Sequence, residues 1–391
     1  FSKTKISLGK KYDWITNPLT GFQYDIHKHW SEVQDLSKEA GDIKYVWEKA
    51  RFSFLYDVIN YDYHFEDDQS AYVFKEIEDF ITKNPINQGP NYKCSQEISL
   101  RVLNWTFALY YYKDSPNLTE ALFQKIMHSI YWQIHHVYHN IHFSRISVRN
   151  NHAITETLLL YLSEKLFPFF PNVAKWSANG KKWFEQEIAY QIYEDGTFLQ
   201  FSMNYHRVVI QLLTWGIQLA KLNGDRFDKV VYERAQKSLD FLDACIDPVS
   251  GELPNYGSND GALFFKLTND DYRVYRSQLD DLRAILNGYI YFGSKSSLWY
   301  GIQAKQKKQA ESLTRELRTV QKSIAKFQAK TKEIANRKKK DKQYKPDAKQ
   351  TAAVRKSLNE AKKKASALQK KTKSLGANDI EFMAMGVREG K

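Results

Sequence analysis

The chain has 391 residues, 42% of them hydrophobic and 15% aromatic, with 25 Tyr, 23 Phe and 9 Trp; such a composition fills a sizeable core and excludes intrinsic disorder. No apolar run approaches the roughly 20 residues of a membrane-spanning helix, and two cysteines, Cys94 and Cys245, are too few for a disulfide framework. The net charge of +13 is unevenly held, with +17 in residues 302–391 and −4 in residues 1–301, so it is not evidence that the larger part binds nucleic acid.

In chain order, Phe1 opens the sequence without the charged and apolar regions of a secretory signal. Helical periodicity then marks segments at about 44–60, 69–83, 95–113, 119–140, 150–166 and 176–194. Val209, Leu213, Ile217 and Ala220 define the next helix, closed by Asn223-Gly224, and Ala235, Leu239, Leu242 and Ile246 another, stopped by Asp247-Pro248. A last one lies at 272–290, and a strand pattern is visible only around Ala262–Phe265. Short linkers rich in Pro, Gly, Asn and Asp join these helices, as at Asn84-Pro85 and Phe167-Pro168. Residues 1–301 therefore read as an all-α domain of stacked helical hairpins, closing into a ring or curving into a solenoid.

Residues 302–391 form a second segment of different character, with three aromatics and no Trp or His. Leu313, Leu317, Val320, Ile324, Phe327 and Ile334 step by threes and fours, and so do Val354, Leu358, Ala361, Ala365, Leu368 and Leu375. With a basic turn at 336–346 between them, the pattern predicts an antiparallel coiled-coil hairpin. Its Lys-rich face is read as a solvated surface rather than a nucleic-acid site, because no aromatics interleave with the charges. Such a hairpin self-associates or takes a partner helix; residues 378–391 read as a short strand or disorder.

Two polar constellations stand where an apolar helix begins. Arg149-Asn150-Asn151-His152 opens the helix that continues through Glu156, and Asp195-Gly196-Thr197 leads to Asn204-Tyr205-His206-Arg207. Capping and turn chemistry alone accounts for Asn and Asp-Gly at such places. In a helical ring, however, these starts share one rim and line one cleft. His135, His136, His139 and His142 crowd another helix, but without an HExxH signature or a nearby carboxylate they call for no metal.

The Asn-Asn-His helix start and the Asp-Gly-Thr…Tyr-His-Arg segment resemble the heparinase II/III family of polysaccharide lyases. Tyr45-Val46-Trp47-Glu48 with Arg51, Glu97–Arg101 with Asn104-Trp105, and the 253–261 loop ending Asn259-Asp260-Gly261 follow in the order that family has. The resemblance covers about residues 40–300 and implies an incomplete (α/α) toroid that cuts a uronate polysaccharide, heparan sulfate-like or alginate-like, by β-elimination. It implies Asn151 and His152 neutralising the uronate carboxylate, with His152 a further candidate base. Tyr205 is the implied base, acid or both, with His206 and Arg207 supplying positive field. Arg101 and Trp105, on one helix face, with Arg149, Asn150 and Glu156, are the implied substrate contacts. No cofactor is implied, and a lyase of this type acts in the periplasm or outside the cell.

The resemblance stops near residue 301, where family members enter a large β-sandwich domain that closes the cleft. The Lys-rich segment is not patterned as that domain, and the composition step reads as a junction between segments of different origin. Two other readings follow: a toroid that binds acidic polysaccharide without cleaving it, or a coiled-coil scaffold. A glycoside hydrolase would need two opposed carboxylates, for which only Glu156 and Asp195 lie near the motifs.

Overall fold

A computed structural model describes residues 8, 12–302, 305–306, 308–340, 345, 347–349 and 351–367. The chain divides into two compact units, Phe1–Leu282 and Arg283–Lys391.

In the first unit, a two-stranded antiparallel ribbon, β1 (Leu36–Ser37) and β2 (Gly41–Asp42), is in register Leu36 to Asp42 and Ser37 to Gly41. It precedes α1 (Lys44–Ala50), α2 (Leu55–Phe65), α3 (Ser70–Lys83), α4 (Ser95–Tyr111), α5 (Glu120–His142), α6 (Asn151–Leu166), α7 (Val173–Gln191), α8 (Met203–Leu222) and α9 (Lys229–Cys245). The predicted 44–60 helix is thus two helices. They are separated at Phe52, whose left-handed φ of 62° breaks the helical run and whose ring is fully buried.

The packing has two layers. Helices α2, α4, α6 and α8 contact one another in succession, while α3 packs on α5 and α7 on α9 outside them; α4/α5, α6/α7 and α8/α9 are hairpins. This is the incomplete (α/α) toroid. The layers differ in burial: α6 is buried at every position from Ala153 to Ser163, including Thr155, Glu156, Thr157 and Ser163. By contrast, α9 buries only Val231, Ala235, Ser238, Leu239 and Leu242, a single stripe. A methyl group on Gly180 of α7 would collide with the α6 backbone at Tyr161 and Leu160, so only glycine lets these helices cross this closely. Trp14, Phe52, Phe80 and Trp105 pack at ring separations of 5.2–5.6 Å, Trp14 stacked on Phe52 and the other pairs edge-on, and anchor the α2–α4 end. Each such ring contributes roughly 1.5–3 kcal/mol by leaving water.

The expected strand at Ala262–Phe265 does not form. Phe264 and Phe265 are both buried, without the alternation of a pleat. The carbonyls of Ala262 and Phe265 accept from Arg207 and Gln211 of α8 instead of from a neighbouring strand.

α10 (Arg276–Asn287) leads into the second unit, where β3 (Tyr289–Ile290) and β4 (Lys305–Gln306) pair in parallel, Tyr289 with Lys305. α11 (Lys308–Lys340) and a helical run over 351–367 follow. Val320 of α11 and Ala365 form a small buried cluster, with Ile324 and Ala361 packed against it. The predicted basic turn begins later than its sequence suggests, since 336–340 continue α11; Leu368 and Leu375 of the predicted seam, residues 341–344 and 346, and residues 378–391 lie outside the described residues. Among the described residues, no helix is long and apolar enough to cross a membrane.

Candidate functional site

The α6 start is built by the chain before it. A π-helical turn, Phe143–Val148, ends α5, and Arg149 turns the chain through a left-handed φ of 48°. Asn150 then caps α6, its side-chain oxygen accepting from His152 N at 3.0 Å. Helix α7 holds this corner. Gln191 Nε2 donates to Asn150 O at 2.9 Å and to Glu187 Oε2 at 3.0 Å. The Arg149 guanidinium lies 3.4 Å from the Tyr190 ring centre and 3.5 Å from Glu187. Asn151 is delivered at this point with its side-chain Oδ1 buried and without a hydrogen-bond partner.

The α8 start is a second fixed corner. Asp195 accepts from Thr197 N and Oγ1 at 2.9 and 2.7 Å, closing a turn that needs Gly196 at φ 91°, where a Cβ would strike the Lys237 carbonyl. Ser202 caps α8 by accepting from Tyr205 N at 3.2 Å and donates to Ser258 O at 2.5 Å, tying the 253–261 loop to the helix. The loop's Asp260 receives the Tyr205 hydroxyl, Oη to Oδ2 2.5 Å, and sits 3.5 Å from Lys44 Nζ of α1. The starts of α4 and α6 also touch, through Cys94 Sγ and His152 Nδ1 at 3.8 Å and through Gln96 and Thr155 at 3.2 Å. Arg51 binds Glu97 at the start of α4 by two bonds of 2.7 and 2.8 Å.

These contacts set the electrostatics. Burial and then the Asp260 bond push the Tyr205 phenol well above its ordinary range, with the Arg51 field pulling weakly the other way. Burial depresses His152 to about 4, against the fields of Glu97 and Asp260, so its imidazole is neutral at physiological pH. The arrangement offers a protonated phenol, a neutral imidazole and an uncommitted amide oxygen.

Five sequence candidates lie elsewhere, each for a physical reason. Arg101 is fully buried, donating to Gln133 Oε1 at 2.7 Å and Asn91 O at 3.0 Å over the Phe80 ring, and Trp105 packs beside it in the core. The two do share a helix face, but that face looks into the hairpin core and not toward sugar. Arg207 is spent on the carbonyls of Tyr272 and Ala262 and on Asn204 Oδ1 at 3.0 Å. His206, next to Tyr205, turns the opposite way. It bonds Ser238 Oγ at 2.9 Å, lies parallel to Phe241, and is driven by burial to about 3, so it carries no positive field.

Glu156 is buried one turn below the rim, 2.6 Å from Ser144 Oγ, and burial raises it to about 8 while the Ser144 bond opposes. Between the unfolded value of 4.5 and about 8, the folded protein keeps a proton that the unfolded chain releases. Stability therefore falls as pH rises through that window, by up to about 1.4 kcal/mol per pH unit. The Glu156→Gln variant is expected to match the wild type in urea unfolding near pH 4, below the window, and to exceed it near pH 9; equal midpoints at both pH values would show that the carboxyl is not held neutral.

The residues that sequence reasoning left out of the site are Asp260, Lys44 and Arg51, with Glu187 and Gln191 behind them. Asp260 and Arg51 stood in recognised motifs, but nothing in sequence tells that Asp260 meets a tyrosine 55 positions away. Of the histidine stripe, His135 and His139 stack on each other at 4.1 Å. Among the described residues, no group of three or more His, Cys, Asp or Glu is gathered as a metal site.

Comparison with solved structures returns a heparinase III, the BT4657 gene product, at 19% identity and TM-score 0.44, covering 62% of this chain and 42% of that one. A heparan sulfate lyase HepC from Pedobacter heparinus matches at 20% identity and TM-score 0.42, covering 58% and 35%. A second heparinase III matches at 17% and 0.43, covering 71% and 42%. The chain spans less than half the length of these structures, and no curated protein matches it. The model of the heparinase II/III N-terminus matches residues 2–258, which takes in both helix starts and the greater part of the 253–261 loop. By that domain, the chain belongs to the heparinase II/III family.

Proposed function

We propose that the toroid binds a uronate-containing polysaccharide and cleaves it by β-elimination at the rim formed by the α6 and α8 starts. The observation that supports this reading is the Tyr205 hydroxyl bonded to Asp260, a carboxylate whose field also reaches His152, beside an α6 start that carries Asn151 with its Oδ1 unpartnered. In the reaction, the C5 proton of the uronate passes to a base and the C4–O4 bond breaks. O4 leaves with a proton, and the electron pair becomes a C4–C5 double bond.

The C5 proton becomes acidic only if the carboxylate charge is offset by a hydrogen-bond donor, the task assigned to the Nδ2–H of the Asn151 amide. The Tyr205–Asp260 bond keeps the phenol protonated, which favours Tyr205 as the donor to O4. The neutral His152 imidazole is free to accept at C5. The Arg51 field supports the phenolate that forms once the proton is given. A polymer of this kind meets its lyase in the periplasm or outside the cell.

The test is the ultraviolet absorbance of the conjugated C4–C5 product on heparan sulfate and alginate. Asn151→Ala is expected to lower the rate about 10²–10³-fold, the usual cost of one oxyanion-stabilising group. Product from the variant at the wild-type rate would remove Asn151 from the mechanism; hydrolysis without absorbance would remove the elimination.

A further inference from the structure

Phe201 stands immediately before the α8 cap, with a left-handed φ of 48° and its side chain 57% exposed. A bulky residue at positive φ is a backbone outlier. It is held there from two sides: Phe201 N donates to Phe198 O at 2.9 Å, and the Phe201 carbonyl lies so close to Gly257 that any Cβ there would strike it. Glycine would meet the same backbone demand without strain, and so exposed a ring adds little to the core. The ring, rather than the turn, is what the strain retains.

Its surroundings say what the ring meets. Tyr193, 39% exposed, lies 6.1 Å from Phe201 between ring centres. Phe201 and Tyr256, the latter 63% exposed, border a cavity of about 140 Å³ with Phe198, Met203, His206 and Phe241 along its walls. Met203 N donates to Tyr256 O at 3.1 Å, so both walls are fastened to the same helix start as Tyr205. No lysine, arginine or carboxylate lines this cavity. A charged group would lose hydration there, whereas the C–H face of a sugar ring suits aromatic faces while its hydroxyls stay in water.

We propose that Phe201, flanked by Tyr193 and Tyr256, is a stacking subsite for the apolar face of the pyranose next to the uronate bound at Tyr205. This rests on the lyase reading above.

The test compares full-length wild type, Phe201→Gly and Phe201→Tyr on heparan sulfate and alginate. Phe201→Gly is expected to raise KM about tenfold, leave kcat within twofold and leave Tm unchanged or higher, because strain is relieved. Phe201→Tyr is expected to restore KM. An unchanged KM, or a fall in Tm that Phe201→Tyr corrects, overturns the subsite. Absence of unsaturated product from the wild type defeats the lyase reading instead. Calorimetric binding of oligosaccharides from the same polymers then decides the subsite: weaker binding by Phe201→Gly supports it, and equal or absent binding in both proteins overturns it.

Discussion

Tyr205→Phe is expected to lower the elimination rate by about 10²–10⁴-fold, the range for removing a positioned proton-transfer group, while leaving the fold unchanged. The substitution deletes a single hydroxyl. Its partner Asp260 is one-third exposed and keeps Lys44 at 3.5 Å, so the carboxylate is not left buried and alone. The stability loss is therefore about 1 kcal/mol or less. Because Asp260 and burial hold the phenol protonated, the wild type has its donor ready across the neutral range. The acid limb of its rate profile follows His152, falling as pH drops toward about 4. A Tyr205→Phe enzyme with undiminished product absorbance would place the donor elsewhere. Lost activity together with a collapsed Tm would mean that the hydroxyl is structural.

The parts of this chain that sequence revealed share a physical property: they are local. The Asn cap at the α6 start and the Asp195–Thr197 turn are set within a few residues, and the structure holds both where the pattern put them; helix periodicity is as local, but it reads 44–60 as one helix where Phe52 divides it in two. Facing direction is not local. Neighbours on a helix diverge by about 100°, so a motif that reads Tyr-His-Arg sends Tyr205 to the rim and buries His206 and Arg207. The i, i+4 rule placed Arg101 and Trp105 on one face, but the choice of which face meets solvent is made by the packing of α4 between α2 and α6. Glu156 likewise continues a polar start into a helix that is buried on every side. Partners such as Asp260 and Lys44 arrive from loops and helices that only the folded toroid brings together.

The Arg51–Glu97 pair joins stability to chemistry. Both side chains are less than 10% exposed, with bidentate geometry at 2.7 and 2.8 Å. Removing one partner strands the other in a low-dielectric interior, so Arg51→Met is expected to destabilise by about 3–5 kcal/mol in denaturant unfolding. Replacing both, as Arg51→Met with Glu97→Leu, removes two desolvated charges at once and is expected to recover most of that loss. Activity should not recover with it. Arg51 is a cation whose field lowers the Tyr205 phenol against the pull of Asp260, and the doubly apolar protein lacks it. Once Tyr205 has given up its proton, the phenolate then forms beside the Asp260 carboxylate, with Lys44 at 3.5 Å from that carboxylate and without the Arg51 field. The double variant is accordingly expected to fold near wild-type stability yet turn over at least tenfold more slowly, a barrier increase of about 1.4 kcal/mol. Full recovery of both stability and rate would confine Arg51 to the fold; slow turnover in a stable protein would make it the source of the positive field that Tyr205 needs.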